Sequence, residues 1–211
     1  MRSTASSSST SSRADPHNVI VACVGDSITA GSPLWDPDPI VRSRIAALDE
    51  RSQWLWWAAH SDASLELRNH GVNGERTDQI SARLDGAVAG ADAVIVQGGI
   101  NDIVQGRPVE EAARSLAGMV ERARGLGLRV AVADVLPWNN GDERAAGDIV
   151  RLNELVAAIA DGAGAPLLPF HDTLVDSARP ERMRAEWTDD GNHPSIEGHR
   201  LLGERAFRLP R

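Results

Sequence analysis

The chain has 211 residues, 42% of them hydrophobic, with 30 Asp and Glu against 22 Lys and Arg for a formal net charge of -8. A chain of this length suits one domain, able to bury roughly 70% of the surface its unfolded form exposes. The net charge of -8 argues against a nucleic-acid binder, for which a basic stripe is expected; acidic and basic residues are interspersed rather than blocked, and no apolar run is long enough to span a membrane.

In chain order, Met1 to Ser12 is dominated by Ser and Thr. Residues 1–16 are therefore expected to form a disordered tail ahead of a single domain over residues 17–211. The tail lacks the apolar core of a secretory signal, so a cytoplasmic location is expected, with a transit-like or appended segment as the alternative. The run Val19 to Val24 reads as a buried strand and leads directly into Gly25-Asp26-Ser27-Ile28-Thr29. Gly25 permits a sharp turn, and Ser27 then stands at a helix N-terminus, where free N–H groups and the dipole favour negative charge.

Ile40 to His60 reads as helical, ending in Trp54-Leu55-Trp56-Trp57, whose indoles are expected to pack in the core. A strand over Leu65 to Arg68 precedes Gly71-Val72-Asn73-Gly74-Glu75-Arg76-Thr77, and one over Ala93 to Gln97 precedes Gly98-Gly99-Ile100-Asn101-Asp102. Helical spacing follows over Val109 to Arg124 and Ala146 to Ala160, with strands over Arg129 to Val135 and Pro166 to Phe170. Apolar runs without alternation suit strands covered on both faces. The expected fold is thus an α/β/α three-layer, flavodoxin-like sandwich on five parallel strands joined by right-handed crossovers.

Near the C-terminus, Asp190-Gly191-Asn192-His193-Pro194 places a carboxylate and an imidazole three residues apart. Asp190 can return over Gly191 to accept the His193 Nδ1 proton, leaving Nε2 for the Ser27 hydroxyl. Asp189 is the rival carboxylate. Ester cleavage also needs donors aimed at an oxyanion, and the N–H of Ser27, the N–H of Gly74 and the Asn101 amide converge if their three strands are neighbours. Taken singly, Asn73-Gly74 reads as a turn and Asn101-Asp102 as a helix cap. A side chain at position 74 is expected to obstruct the substrate carbonyl, which favours glycine there.

In order and spacing, Gly25-Asp26-Ser27, Gly74, Gly99-Ile100-Asn101-Asp102 and Asp190 to His193 resemble the blocks of the SGNH hydrolase superfamily, the GDSL esterases and lipases, over about Val19 to Phe207. The resemblance implies Ser27 as nucleophile, His193 and Asp190 as base and orienter, and Gly74 and Asn101 as oxyanion donors. It implies a carboxylic ester hydrolase on the same flavodoxin-like fold. One departure is His199, where such proteins frequently carry a tyrosine; this chain has none.

Trp35, Trp138 and Trp187 fall in loops near the reacting edge and are candidates for the substrate pocket wall, with Ile103, Leu34 and Val104 as apolar lining. A Trp face suits an acyl chain, an aryl group or a pyranose ring. Small or short-chain acyl or aryl esters are the expected substrates. The same triad also serves an acetylated-carbohydrate esterase, a thioesterase or an acyltransferase, and the fold also accommodates a non-catalytic carbohydrate-binding module. His171-Asp172 reads as a structural hydrogen-bonded pair. Cys23, the single cysteine, reads as inert core. No Cys/His cluster, Walker loop or dinucleotide fingerprint is present, so catalysis without metal or cofactor is expected.

Overall fold

The structure, a computed structural model, describes residues 18–209, so the expected Ser/Thr-rich tail lies outside the described residues. Five strands form one all-parallel sheet: β1 (Val19–Gly25), β2 (Leu65–Gly71), β3 (Ala93–Val96), β4 (Arg129–Ala133) and β5 (Leu167–Leu168), in the order β2-β1-β3-β4-β5. Val24 sits opposite His70 of β2 on one side and Val96 of β3 on the other, so the ends of these three strands are level. The chain leaves β2 on one side of β1 and returns as β3 on the other. That reversal opens a crevice at the carboxyl ends of β1 and β3.

Alternate residues of each strand face opposite layers, and two cores result. Ala22, Val24, Val94, Val96, Val130 and Val132 pack under one layer with Ile80, Leu116, Met119, Leu152 and Val156. Val21, Cys23, Ala93, Ile95, Ala131 and Ala133 pack under the other with Trp54, Phe170 and Leu201. In chain order the helices are α1 (Ser27–Ala30), α2 (Pro39–Arg42), α3 (Trp54–Ser61), α4 (Thr77–Ala82), α5 (Leu84–Ala87), α6 (Ile100–Val104), α7 (Val109–Gly125), α8 (Glu143–Ala163), α9 (Phe170–Leu174) and α10 (Ile196–Leu201). The longest, α8, begins where Asp142 accepts the N–H of Ala145 and ends at Gly164 in the left-handed region, φ 61°.

Three expectations are corrected. Ile40 to His60 is not one helix: it comprises α2, a 3₁₀ turn at Glu50–Ser52 and α3. Asp38 caps α2, and Asp49 restarts the backbone by accepting the N–H of Arg51. The apolar residues that mimic a helical face there, Ile40, Val41 and Leu48, are exposed. The fourth strand stops at Ala133 rather than Val135, because the Asn153 side chain takes both backbone groups of Val135, accepting its N–H and donating to its C=O. The fifth shrinks to two residues, since Pro169 has no N–H to donate and α9 begins at Phe170. An antiparallel ribbon, β6 (Val175–Asp176) with β7 (Arg179–Met183), was not legible, because Arg-Pro-Glu-Arg-Met carries no apolar alternation.

Candidate active site

The nucleophile turn is built by close packing. A Cβ on Gly25 would lie 2.4 Å from Thr29 Oγ1, and one on Gly71 would lie 2.0 Å from the Ala30 backbone nitrogen, so both glycines allow β1, β2 and α1 to meet. Asp26 caps α1 by accepting the Ile28 N–H at 2.9 Å. Gln97 Oε1, at the end of β3, accepts from the Asp26 N–H and the Thr29 hydroxyl. Ser27 therefore emerges from a turn fixed on both sides and is itself only 6% exposed.

Ser27 Oγ lies 3.1 Å from His193 Nε2, and His193 Nδ1 lies 2.7 Å from Asp190 Oδ2. With the proton on Nδ1 donated to Asp190, Nε2 is left to accept the Ser27 hydroxyl. The other Asp190 oxygen accepts the backbone N–H groups of Asn192 and His193 at 2.8 and 2.7 Å. Burial acts to raise the Asp190 carboxyl, but these bonds with the His193 ring and the two N–H groups outweigh it and hold the group below the usual carboxylate range. Asp190, not Asp189, is the carboxylate on the imidazole.

Gly74 follows β2 with φ 80°, and Asn101 sits in the first turn of α6 after β3. The three candidate oxyanion donors thus leave the ends of the adjacent strands β1, β2 and β3. Among the described residues, the Ser27 and Gly74 N–H groups have no intramolecular acceptor. Asn101 Nδ2 donates one hydrogen to Glu75 O at 3.0 Å, leaving its second free. A Cβ at position 74 would meet nothing within 4 Å, so the positive φ rather than crowding by the protein calls for glycine. Asp102 is a brace rather than a cap: fully buried, it accepts from the Thr77 N–H, the Thr77 hydroxyl and, at 2.6 Å, Arg107.

A cavity of about 230 Å³ opens on Ser27 and His193, walled by Asn73, Ile100, Asn101, Val104 and Trp138. A second, of about 300 Å³, shares Val104 and Trp138 with it and includes Ile103. Of the four pocket candidates, Trp138 and Ile103 therefore stand at the cleft. Trp35 and Trp187 line neither cavity. Arg42 lies over the Trp35 ring at 4.7 Å, and Trp187 packs on the second core under Arg184. Leu34 also lies outside both cavities.

The loop after β4 contributes, beside Trp138, the residues Asn139 and Asn140 that the sequence reading missed. Trp138 Nε1 donates to Asn192 Oδ1 at 2.6 Å, Asn140 Nδ2 donates to Asn192 Oδ1 and Asp190 O, and the Asn139 N–H donates to Gly191 O. Asn139 also clasps Met183 of β7 through both its side-chain atoms. The polar pair Asn139-Asn140 directly after a buried strand was the signal available. Nearby, burial pushes Asp26 up to about 6, opposed by the Ile28 N–H, and pushes the fully buried His199 down to about 3, with His193 acting in the same direction. His171 pairs weakly with Asp172, Nδ1 to Oδ1 at 3.4 Å, and the Cys23 thiol is buried and raised by desolvation.

The model of the GDSL-like Lipase/Acylhydrolase family matches residues 23–201. Among solved structures, a putative lipolytic protein of the G-D-S-L family from Desulfitobacterium hafniense is 23% identical, with TM-score 0.73 over 89% of this chain and 97% of that one. A GDSL-like lipase from Bacteroides thetaiotaomicron is 19% identical, with TM-score 0.69 over 92% and 88%. The psychrotrophic esterase EstA from Pseudoalteromonas sp. is 19% identical, with TM-score 0.64 over 89% and 93%. No curated protein matches the sequence. With the family model spanning most of the chain and the same fold in these neighbours, the protein belongs to the GDSL-like lipase/acylhydrolase family and is a carboxylic ester hydrolase.

Proposed function

We infer that the protein hydrolyses small, short-chain acyl or aryl esters through an acyl-enzyme on Ser27. The observation that carries this reading is the relay from Ser27 Oγ to His193 Nε2 at 3.1 Å and from His193 Nδ1 to Asp190 at 2.7 Å. His193 takes the hydroxyl proton as Ser27 Oγ bonds to the ester carbon. Asp190 holds the ring in the required tautomer and stabilises the imidazolium. The carbonyl oxygen becomes an oxyanion, met by the Ser27 N–H, the Gly74 N–H and the second hydrogen of Asn101 Nδ2. His193 then returns its proton to the departing alcohol oxygen as the carbon–oxygen bond breaks. A water, deprotonated by His193, attacks the acyl carbon, and Ser27 leaves with that proton.

The cavity of about 230 Å³ at Ser27 supports a short acyl group. The test is a panel of p-nitrophenyl esters from acetate to long acyl chains, with Ser27→Ala beside the wild type. Activity is expected to be greatest on the short esters and to fall about 10⁴-fold or more in the variant. A variant that retains wild-type rate removes Ser27 from the mechanism.

A further inference from the structure

Each candidate oxyanion donor is tied to one ion pair, Arg83 with Glu75, neither of which lines the cavity at Ser27. Arg83 Nη2 donates to Gly25 O at 2.9 Å, and Arg83 Nε donates to Glu75 Oε2 at 2.7 Å. Gly25 O, the last carbonyl of β1, also accepts the Val72 N–H at 2.9 Å, so two donors fix the peptide that leads through Asp26 to Ser27. Glu75 directly follows Gly74, and its own carbonyl accepts from Asn101 Nδ2 at 3.0 Å. The guanidinium therefore reaches the Ser27 turn through one nitrogen, and the Gly74 and Asn101 donors through another.

Arg83 is itself held. It is the single residue between α4 and α5, and Ile80 and Leu84, both 0% exposed in the first core, anchor the backbone on either side. Its planar fork spans a carboxylate and a carbonyl that a single ammonium would not hold together. The two side chains are 26% and 19% exposed, so water can replace either partner and loss of the pair costs the fold little. The pair bears instead on donors that must be in place before charge develops, where a displacement of about 1 Å costs roughly 10²-fold in rate.

We propose that Arg83 and Glu75 are positioning residues for the oxyanion site, holding the Ser27 N–H, the Gly74 N–H and the Asn101 amide in one arrangement without touching the substrate. This rests on ester hydrolysis at Ser27 with those three donors. The experiment measures kcat and KM on p-nitrophenyl acetate for Arg83→Met, Glu75→Leu and Glu75→Gln, and for Arg83→Met combined with Asn101→Ala. Arg83→Met and Glu75→Leu are each expected to lower kcat about 30-fold with KM changed less than threefold. Their Tm is expected to stay within about 3 °C of wild type. Glu75→Gln, whose amide oxygen still accepts from Arg83 Nε, is expected to be about tenfold more active than Glu75→Leu. In the Asn101→Ala background the loss caused by Arg83→Met is expected to shrink to about a third or less. A wild-type kcat in Arg83→Met, a Glu75→Gln no more active than Glu75→Leu, or a loss of equal size in both backgrounds overturns the proposal.

Failure of the Ser27 reading shows separately, as a wild-type rate in Ser27→Ala. The positioning is then read without turnover, in amide NMR spectra of the Ser27→Ala protein. Adding Arg83→Met is expected to shift the Gly74 N–H and the Asn101 side-chain amide signals by more than that of Asn153, whose amide is bound at Val135. Gly74 and Asn101 signals that do not move refute the proposal.

Discussion

Asn101, the candidate side-chain oxyanion donor, illustrates how little of such a role is visible in a residue's own chemistry. Its amide already donates to Glu75 O at 3.0 Å, so one hydrogen anchors the side chain and the other remains for an oxyanion. Anchoring removes the reorganisation that a free amide would undergo during the reaction, and this preorganisation is what makes a donor effective. Asn101→Ala is accordingly expected to lower kcat on p-nitrophenyl acetate by roughly 10² to 10³ with a smaller change in KM. An equal loss in Asn101→Asp, which keeps the size but loses both hydrogens, would locate the effect in the donor; an unchanged kcat in either variant would remove Asn101 from the oxyanion site. The meeting of Ser27 with His193 and of His193 with Asp190 was legible because each sits in a short block with its own local reason for being at a strand end or a tight turn. Trp35 and Trp187 were misjudged because an indole in a loop reads the same whether it faces a cleft or anchors the loop.

Between elements, the site depends on side chains that join one strand-end loop to the next. Asp102, at 0% exposure, holds α6 against the start of α4 through Thr77 and is itself paired with Arg107. Removing the Asp102 carboxylate leaves the buried Thr77 N–H and hydroxyl without their acceptor, at about 1–3 kcal/mol each, while Arg107 keeps Glu111 at 3.2 Å. Asp102→Ala is therefore expected to lower Tm by about 10 °C. It should also reduce kcat, because Asn101 is the preceding residue on the same turn. Calorimetry alongside p-nitrophenyl acetate kinetics checks both. A variant with wild-type Tm would mean that Thr77 and Arg107 find other partners. The loop Trp138 to Asn140 plays the corresponding part for the loop that carries His193, meeting Asp190, Gly191 and Asn192. Neither brace was readable, since each depends on residues 25 to 54 positions apart meeting across the crevice.

For the molecule as a whole, the pH dependence of stability has opposing sources. Burial raises Asp26 to about 6 and Asp134 to about 7, the latter despite the His171 N–H it accepts. A carboxyl whose folded value is raised adds stability that is present below its ordinary value near 4 and is lost as pH climbs through the folded value. Asp49, Asp78, Asp176 and Asp190 are held low by hydrogen-bonded partners, and their contribution disappears in acid. A maximum in mild acid follows, with decline between about pH 5 and 8. Asp134→Asn keeps an oxygen for the His171 N–H and abolishes the charge. Its Tm relative to wild type is expected to improve by about 5 °C between pH 5 and pH 8. A Tm difference that is flat across that range would show that Asp134 does not govern the decline.

The sequence by itself determined the α/β class, the five parallel strands, the two long helices α7 and α8, and the chemical blocks at the strand ends. These follow from local physics: unbroken apolar runs must be covered on both faces, helical periodicity buries one stripe, and glycine marks a turn. Tertiary structure alone decided that residues 40–60 break into three pieces around Asp38 and Asp49, and that Asn153 ends β4. It alone added the β6–β7 ribbon and divided the cleft at Trp138. Each of these outcomes turns on a side chain satisfying a distant backbone group or filling space beside a remote loop. Local pattern carries no record of such partners, whose positions exist only once the sheet has brought its strand ends level.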